Sequence, residues 1–310
     1  MTSRHRACHR GFTLVELLVV ITIIGILAGL ALVGLPGVIR GVQSAAMHAE
    51  LVHIGTAIDE FQKERGSYPP DGNTVVTAGA GARAAAFNSF LNKRFPQRNG
   101  GADNPNSAAQ ARTRLMALGT SQGIVNPSPT AGTPYQLEDI DPSEAWVLMM
   151  MGFSPDVELP LTGDGDRQRR FEFDTTRLVD DDGDGWWSYK AKYSNSPVVY
   201  FNANSYVDGG TGNVASYMDP SGVVQGQARP YGRVNSAGAF EWVAPNKFQL
   251  IMAGIDDDFG SYGGVTEMKI YSSGIADSTA APTSVDYTPA DFDNITDFSQ
   301  GATLDADTEL

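Results

Sequence analysis

The chain has 310 residues but only one cysteine, Cys8, and only four histidines, the last of which is His53. Beyond residue 53 the chain therefore has no Ser-His-Asp triad, no cysteine nucleophile and no His/Cys zinc ligands. A single cysteine also excludes a disulfide within the chain. Any chemistry in the rest of the sequence must depend on carboxylates, hydroxyls or lysines.

Positive charge is scarce as well. Lysine and arginine number 22 against 36 aspartates and glutamates, so the formal net charge is −14. An acidic protein does not neutralise phosphates, and we expect no nucleic-acid contact from its charge. Hydrophobic residues make up 42% of the chain, which is enough for a core, and 34 glycines with 17 prolines predict many turns.

The N-terminal segment joins a basic leader to a long apolar run. Arg4, Arg6 and Arg10 precede a run of 22 residues from Leu14 to Leu35. As a helix this run would be about 33 Å long, which is sufficient to cross a bilayer. The arginines predict a single-pass topology with the N-terminus in the cytoplasm and the rest of the chain outside the membrane.

Two plainer interpretations of this segment compete. A secretory signal peptide has a shorter apolar core followed by a small-residue cut site, and this run is long with a poor site inside it. A simple signal anchor fits the length but leaves Glu16 unexplained. A carboxylate inside a membrane-spanning helix is costly, so its presence indicates a function.

The start of this segment resembles a known signal. The sequence RGFTLVE, from Arg10 to Glu16, together with the apolar run after it, is similar to the class III signal of type IV prepilins and type II secretion pseudopilins. The resemblance implies that prepilin peptidase cuts after Gly11 and methylates Phe12. It also implies that Glu16, the fifth residue after the cut, pairs with the terminal amine of a neighbouring subunit. The implied partners are the peptidase, copies of the chain and other pseudopilins, and an inner-membrane assembly platform. Loss of the three leader arginines would change the net charge from −14 to −17.

A second helical segment is predicted after the membrane run. Pro36 should kink the helix, and beyond it one apolar stripe repeats at spacings of 4, 3, 4 and 3: Met47, Leu51, Ile54, Ile58 and Phe61. We expect this stripe to pack on the chain's own globular domain. Gly66 is a natural residue to follow the helix end, and Pro69-Pro70 prevent its continuation. The segment Gly66-Ser67-Tyr68-Pro69 resembles the end of the long helix in many pseudopilins.

The remaining chain predicts an α+β domain, in which a small antiparallel sheet and extra helices pack on the long helix. Helices are expected around Arg83–Phe95 and Ala108–Leu118, and a third from Asp141 as N-cap to Met151. Short aromatic or β-branched runs follow residue 170, and the polar, acidic chain from Ser272 predicts a loose tail. Residues 141–148 resemble a helix of larger, planctomycete-type pseudopilins.

The predicted organisation has six parts. They are a cleaved leader (1–11), a membrane and fibre-core helix (12–35), an amphipathic stalk helix (36–66), a helical and loop insertion (67–170), a β-rich domain with acidic loops (171–271) and an acidic tail (272–310).

Two acidic clusters are candidate calcium sites. Asp180, Asp182 and Asp184 with Gly185 form the pattern D-x-D-x-D-G, in which alternating carboxylates can point several oxygens at a hard cation. The twelfth position of an EF-hand needs glutamate, and Ala191 is there, so the loop is not an EF-hand. An incomplete calcium loop and a solvated acidic turn both remain open.

The second cluster is formed by Asp256, Asp257 and Asp258, which follow a mostly apolar run from Ile251 to Ile255. The segment from residue 251 to 260 resembles the closing strand and acidic loop of major pseudopilins, in which calcium is bound. Carried over, the resemblance makes Asp256 and Asp258 the ligands, and alternate positions point the same way in an extended turn.

The favoured function is a non-enzymatic pseudopilin subunit, processed at the inner membrane and assembled into a periplasmic fibre. Secretion is preferred over adhesion or DNA uptake because of the acidic loop near Asp256 and the helix end at Gly66. The alternative is a membrane-anchored binding domain, or a carboxylate-based hydrolytic domain, that uses a pilin-like leader. Paired carboxylates in a cleft would favour that alternative.

Overall fold

The structure is a computed structural model that describes residues 12–73, 80–105, 135–207, 212–219, 226–234, 239–261, 268–270, 284–285 and 289–308. The chain divides into two compact units, Met1–Val42 and Gln43–Leu310. The predicted cut site at Gly11 and the predicted helix Ala108–Leu118 lie outside the described residues.

Helix α1 (Leu14–Arg65) begins directly after Thr13 and contains Pro36. Within the described residues, no single helix meets a length and hydropathy test for a membrane span, whereas Leu14–Leu30 and Leu35–Arg65 meet it together as a bent pair. The bend lies within one turn of Pro36, whose ring nitrogen has no hydrogen to donate to the carbonyl four residues earlier.

In the first unit, the large apolar side chains of α1 are exposed. Exposure is 79% at Leu14 and still 65% at Val42, and Phe12, just before the helix, is 76% exposed. Scattered exposed apolar residues are ordinary, but a continuous apolar surface along a helix marks contact with a membrane or another protein.

In the second unit, α1 contributes the apolar stripe to the core. All five predicted stripe residues are buried, and Val52, which lies off the stripe, is 47% exposed. The expected packing on the chain's own domain is confirmed. The helix ends at Arg65, and Gly66 follows with φ 73°, where its amide donates to the carbonyl of Gln62 at 2.6 Å.

Three further helices are described: α2 (Ala80–Arg94), α3 (Ala145–Met150) and α4 (Leu304–Thr308). Short 3₁₀ turns occupy Thr175–Arg177, Ala203–Ser205 and Pro289–Asp291. Helix α3 corrects the predicted helix from Asp141, because it begins four residues later. The carboxylate of Asp141 accepts hydrogen bonds from the amide and hydroxyl of Ser143, at 2.6 and 2.7 Å, and this turn precedes the helix.

The described strands are β1 (Leu178–Val179), β2 (Ser188–Tyr189), β3 (Val199–Asn202), β4 (Tyr231–Val234), β5 (Phe240–Trp242), β6 (Phe248–Met252), β7 (Met268–Ile270), β8 (Ser284–Val285) and β9 (Ile295–Thr296). They form small sheets with the orders β1-β2, β3-β6-β9 and β5-β4-β7-β8. The first two sheets are antiparallel, and β7 pairs in parallel with β4 and β8. The predicted α+β class is confirmed, with one mixed sheet among the antiparallel ones.

The expected loose tail is wrong for residues 289–308. Strand β9 pairs with β6 in the register Met252 to Ile295, and the side chains of Ile295 and Leu304 are fully buried. One apolar residue in each short element is too weak a pattern to predict structure in an acidic sequence. The pairing is decided by distant segments, which no local period reveals.

Candidate functional site: an N-terminal carboxylate and a buried acidic cluster

The N-terminal site is built around Glu16 in the first turn of α1. Its Oε2 accepts hydrogen bonds from the amide and the hydroxyl of Thr13, both at 2.8 Å, and its own amide donates to that hydroxyl at 3.2 Å. This is a capping box, in which Thr and Glu three residues apart satisfy each other's free backbone amides. The T-x-x-E spacing is present in the sequence, but a capping box was not among the predictions from it.

Glu16 has no cationic partner within the described part of the chain. Phe12, the predicted first residue of the mature protein, lies four residues before Glu16 and is exposed, and Gly11 lies outside the described residues. The structure thus leaves the Glu16 charge held locally by Thr13 alone.

The acidic loop of residues 180–185 folds around Asp180. The carboxylate of Asp180 accepts the amides of Gly183, at 2.7 Å, and Gly185, at 3.1 Å. Both glycines have positive φ, 77° and 97°, which side chains rarely tolerate. A side chain at Gly185 would also lie 2.6 Å from the ring of Tyr135. Asp180 therefore shapes the loop.

Three contacts attach this loop to the segment before α3. The amide of Tyr135 donates to the carbonyl of Asp184 at 2.7 Å, and the indole Nε1 of Trp186 donates to the carbonyl of Gln136 at 2.9 Å. The hydroxyls of Ser143 and Ser188 share a short hydrogen bond. These contacts hold the loop against Glu144.

Glu144, Asp182 and Asp184 form the acidic cluster, in which one carboxylate oxygen from each lies within 4.8 Å of the others. Glu144 and Asp184 are 2% and 5% exposed, and Asp182 is exposed. Asp184 Oδ1 accepts the amide of Trp186 at 2.8 Å, while its buried Oδ2 has no hydrogen-bond partner among the described residues. Glu144 Oε2 accepts the amide of Asp141 at 3.1 Å.

Of the three predicted ligands of this loop, the structure places Asp182 and Asp184 in one cluster and leaves Asp180 outside it. Glu144, which was not predicted, is the third member of the cluster. Glu144 stands far from the loop in sequence, and it looks like an ordinary acidic residue at the start of a helix. Only the contacts of Tyr135, Trp186 and Ser143 bring the two segments together.

Burial and mutual repulsion dominate the electrostatics of the cluster. Burial raises the pKa of Asp184, and the charges of Asp182, Asp180 and Asp141 add to that shift. The pKa of Glu144 is also raised well above its ordinary value, by burial first and then by Asp141 and Asp184. Desolvation and like charges both disfavour the ionised forms unless a cation is near.

The C-terminal acidic loop is arranged differently. Asp257, with φ 60°, accepts the amide of Asn195 and its side-chain Nδ2, both at 2.8 Å. Asp256 accepts the amide of Asp258 at 2.9 Å, and Asp258 accepts the amide of Gly260 at 2.8 Å. Within the described residues, Asp256 and Asp258 belong to no group of three ligand residues as close as the acidic cluster. The carboxylates of this loop accept hydrogen bonds that stabilise turns. Calcium binding by this loop stays a prediction.

Comparison with known protein families gives one match, and it lies at the N-terminus of the chain. Residues 6–32 match the family model of the prokaryotic N-terminal methylation motif. No curated protein and no solved structure gives a significant match to this chain. The matched residues span the predicted cut site, Phe12 and the Thr13–Glu16 capping box. The chain therefore carries the N-terminal methylation motif of type IV pilin-like and pseudopilin precursors.

Proposed function

We propose that the protein is a non-enzymatic structural subunit of a type II secretion-type or type IV pilus-like fibre. The observation that carries this proposal is the methylation motif at residues 6–32, which overlaps the start of α1, a helix whose large apolar side chains are exposed between Leu14 and Val42. Such a helix needs an apolar environment, which the inner membrane supplies before assembly and neighbouring subunits supply afterwards.

Processing prepares this helix for assembly. Prepilin peptidase cuts after Gly11 and methylates Phe12, and the new terminal amine carries a positive charge next to an apolar helix. Glu16 offers a carboxylate that Thr13 already orients. A carboxylate brought into an apolar environment needs a cation, and the amine of the neighbouring subunit supplies it.

The membrane topology follows from the basic leader. The N-terminus lies in the cytoplasm, the first part of α1 spans the inner membrane, and the second unit lies in the periplasm. The partners in this proposal are prepilin peptidase, further copies of the chain, other pseudopilins and an inner-membrane assembly platform. The helix end at Gly66 and the acidic loop at Asp256 support secretion over adhesion or DNA uptake.

The groove on the second unit gives little support to a hydrolytic domain. It is lined by Glu50, Asp174, Arg177 and Tyr189, among other residues. Arg177 forms an ion pair with Glu50, and hydrogen bonds from Thr176 lower the pKa of Asp174. A glycosidase acid needs a carboxyl whose pKa is raised, and Asp174, whose pKa is lowered, does not supply one.

N-terminal mass spectrometry of the protein purified from membranes tests the proposal. We expect a chain that begins at Phe12 and carries one extra methyl group on its terminal amine. Recovery of the intact leader, or cleavage at another residue, would overturn the proposal. Electron microscopy of sheared surface material from cells that overproduce the protein then tests for fibres.

A further inference from the structure

The buried Oδ2 of Asp184 is the observation from which the inference starts. Asp184 is only 5% exposed, and this oxygen has no hydrogen-bond partner among the described residues. A buried carboxylate oxygen without a donor loses its hydration and gains nothing in return. Two further carboxylates, those of Glu144 and Asp182, reach within 4.8 Å of the same place.

We propose that Glu144, Asp182 and Asp184 bind one calcium ion, which links the start of α3 to the loop of residues 180–185. A divalent cation would give Asp184 Oδ2 its missing partner and would offset the repulsion among three carboxylates. The site is independent of the N-terminal motif, because all three ligands belong to the second unit.

The donor set favours calcium over other metals. All three ligands are carboxylates, and the chain has no cysteine or histidine after His53, so a zinc or copper site is disfavoured. Calcium accepts irregular shells of six to eight oxygens, so water and backbone carbonyls can complete the shell on the exposed Asp182 side. Magnesium demands a regular octahedron and gives up its waters reluctantly.

The site is held in place before the ion binds. Tyr135 and Trp186 fasten the loop to the segment before α3, and Asp180 closes the loop on the amides of Gly183 and Gly185. Flexible surface carboxylates would have to be ordered by the ion, whereas this arrangement reduces that entropic cost. Asp180 shapes the loop around the ion.

Terbium luminescence of the full-length protein in detergent micelles tests the site. Terbium replaces calcium in oxygen sites and emits when a nearby tryptophan is excited, and Trp186 directly follows the ligand loop. We expect tryptophan-sensitised emission that calcium removes with a dissociation constant of roughly 0.1–1 mM, the range of extracellular calcium modules. Magnesium at the same concentration should displace far less terbium.

Glu144→Gln should weaken calcium binding by about tenfold or more, because the neutral amide keeps the hydrogen bond from Asp141 but loses the charge. Asp182→Asn is the second variant, since this exposed residue can change without disturbing the core. Asp181→Asn is the matched control: it removes one charge from the same loop, but this carboxylate pairs with Lys190 at 3.1 Å. Asp258→Asn controls for the C-terminal loop.

The expected result is loss of affinity in Glu144→Gln and Asp182→Asn, with both control variants within about twofold of wild type. The proposal is wrong if wild type shows no sensitised emission, or if Glu144→Gln and Asp182→Asn bind as tightly as wild type. Equal losses in Asp181→Asn would indicate diffuse attraction by an acidic loop and also overturn it. Loss of the signal in Asp258→Asn alone would assign the ion to the other loop.

Discussion

The carboxylate of Glu16 accepts both the amide and the hydroxyl of Thr13, each at 2.8 Å. Within one subunit, Glu16 is thus a helix-capping residue. In the proposed fibre, the same carboxylate also neutralises the terminal amine of a neighbouring subunit. The two roles use different properties of the side chain. Capping needs a hydrogen-bond acceptor, whereas neutralisation needs the negative charge.

Substitutions at Glu16 separate these roles. Glu16→Gln keeps an acceptor for the Thr13 amide, and glutamine serves in capping boxes, but it removes the charge. We expect Glu16→Gln and Glu16→Leu to insert into the membrane normally and to reduce fibre yield strongly. The measurement is sheared-fibre yield set against the amount of processed protein in the membrane.

Thr13→Val is the matched control for capping. It removes the hydroxyl that receives the Glu16 amide but leaves the carboxylate charge. Fibre yield close to wild type in Thr13→Val, with loss in Glu16→Gln, would support the intersubunit role. Normal fibres from Glu16→Gln would show that the charge has no part in assembly.

Gly11→Leu tests the cut site. A bulky side chain before the scissile bond should stop the peptidase, so the protein should stay in the membrane with its leader. Intact mass measurement distinguishes the two forms by the mass of residues 1–11. Leader loss in this variant would place the cleavage elsewhere, and Gly25→Leu inside the apolar run is the control that should still be processed.

The apolar stripe of α1 should contribute strongly to the stability of the second unit. Leu51 is fully buried, so Leu51→Ala should lower the free energy of unfolding by about 2–5 kcal/mol. Val52→Ala, at the next residue but 47% exposed, should change it by less than about 1 kcal/mol. Denaturant unfolding in detergent micelles, followed by near-UV circular dichroism, measures both, and equal effects would contradict the packing.

Local patterns explain which parts of this fold could be predicted. The stripe from Met47 to Phe61 and the helix stop at Gly66 depend on neighbours along the chain, so period and propensity were sufficient. The late start of α3 was missed because the Asp141 side chain caps a turn before the helix, and sequence alone does not distinguish those two uses.

The acidic cluster shows the limit for the site. Asp182 and Asp184 were predicted from their alternation, which is local. Glu144 was missed because its proximity depends on the Tyr135 and Trp186 contacts across the fold. The pairing of β9 with β6 was missed for the same reason, since register between distant strands is decided by packing.

The C-terminal segment should be needed for stability. Ile295 is fully buried in β9, so Ile295→Ala should destabilise the second unit by about 2–5 kcal/mol. Phe292→Ala is the matched control, because this larger apolar side chain is 41% exposed and its loss should cost much less. Thermal unfolding compares the two variants. An Ile295→Ala protein as stable as wild type would support the original prediction of a loose tail.

Asp71 should make stability depend on pH. Its side chain is 4% exposed, and burial raises its pKa to about 6 although the amide of Asn202 donates to it at 2.8 Å. Because the folded state holds the proton more tightly than the unfolded state, this residue stabilises most below about pH 4. That contribution is lost as pH rises through 6, at about 1.4 kcal/mol per pH unit and about 3 kcal/mol in total.

Asp71→Asn isolates this contribution, because asparagine has no charge to lose and keeps an oxygen for the Asn202 amide. We expect the free energy of unfolding of Asp71→Asn, minus that of wild type, to increase as pH rises from 4 to 7. Above pH 7 this difference should stay constant. Urea unfolding of both proteins across this range, in the same micelles, measures the difference. A difference that does not change with pH would show that the Asp71 carboxyl has the same pKa in the folded and unfolded chains.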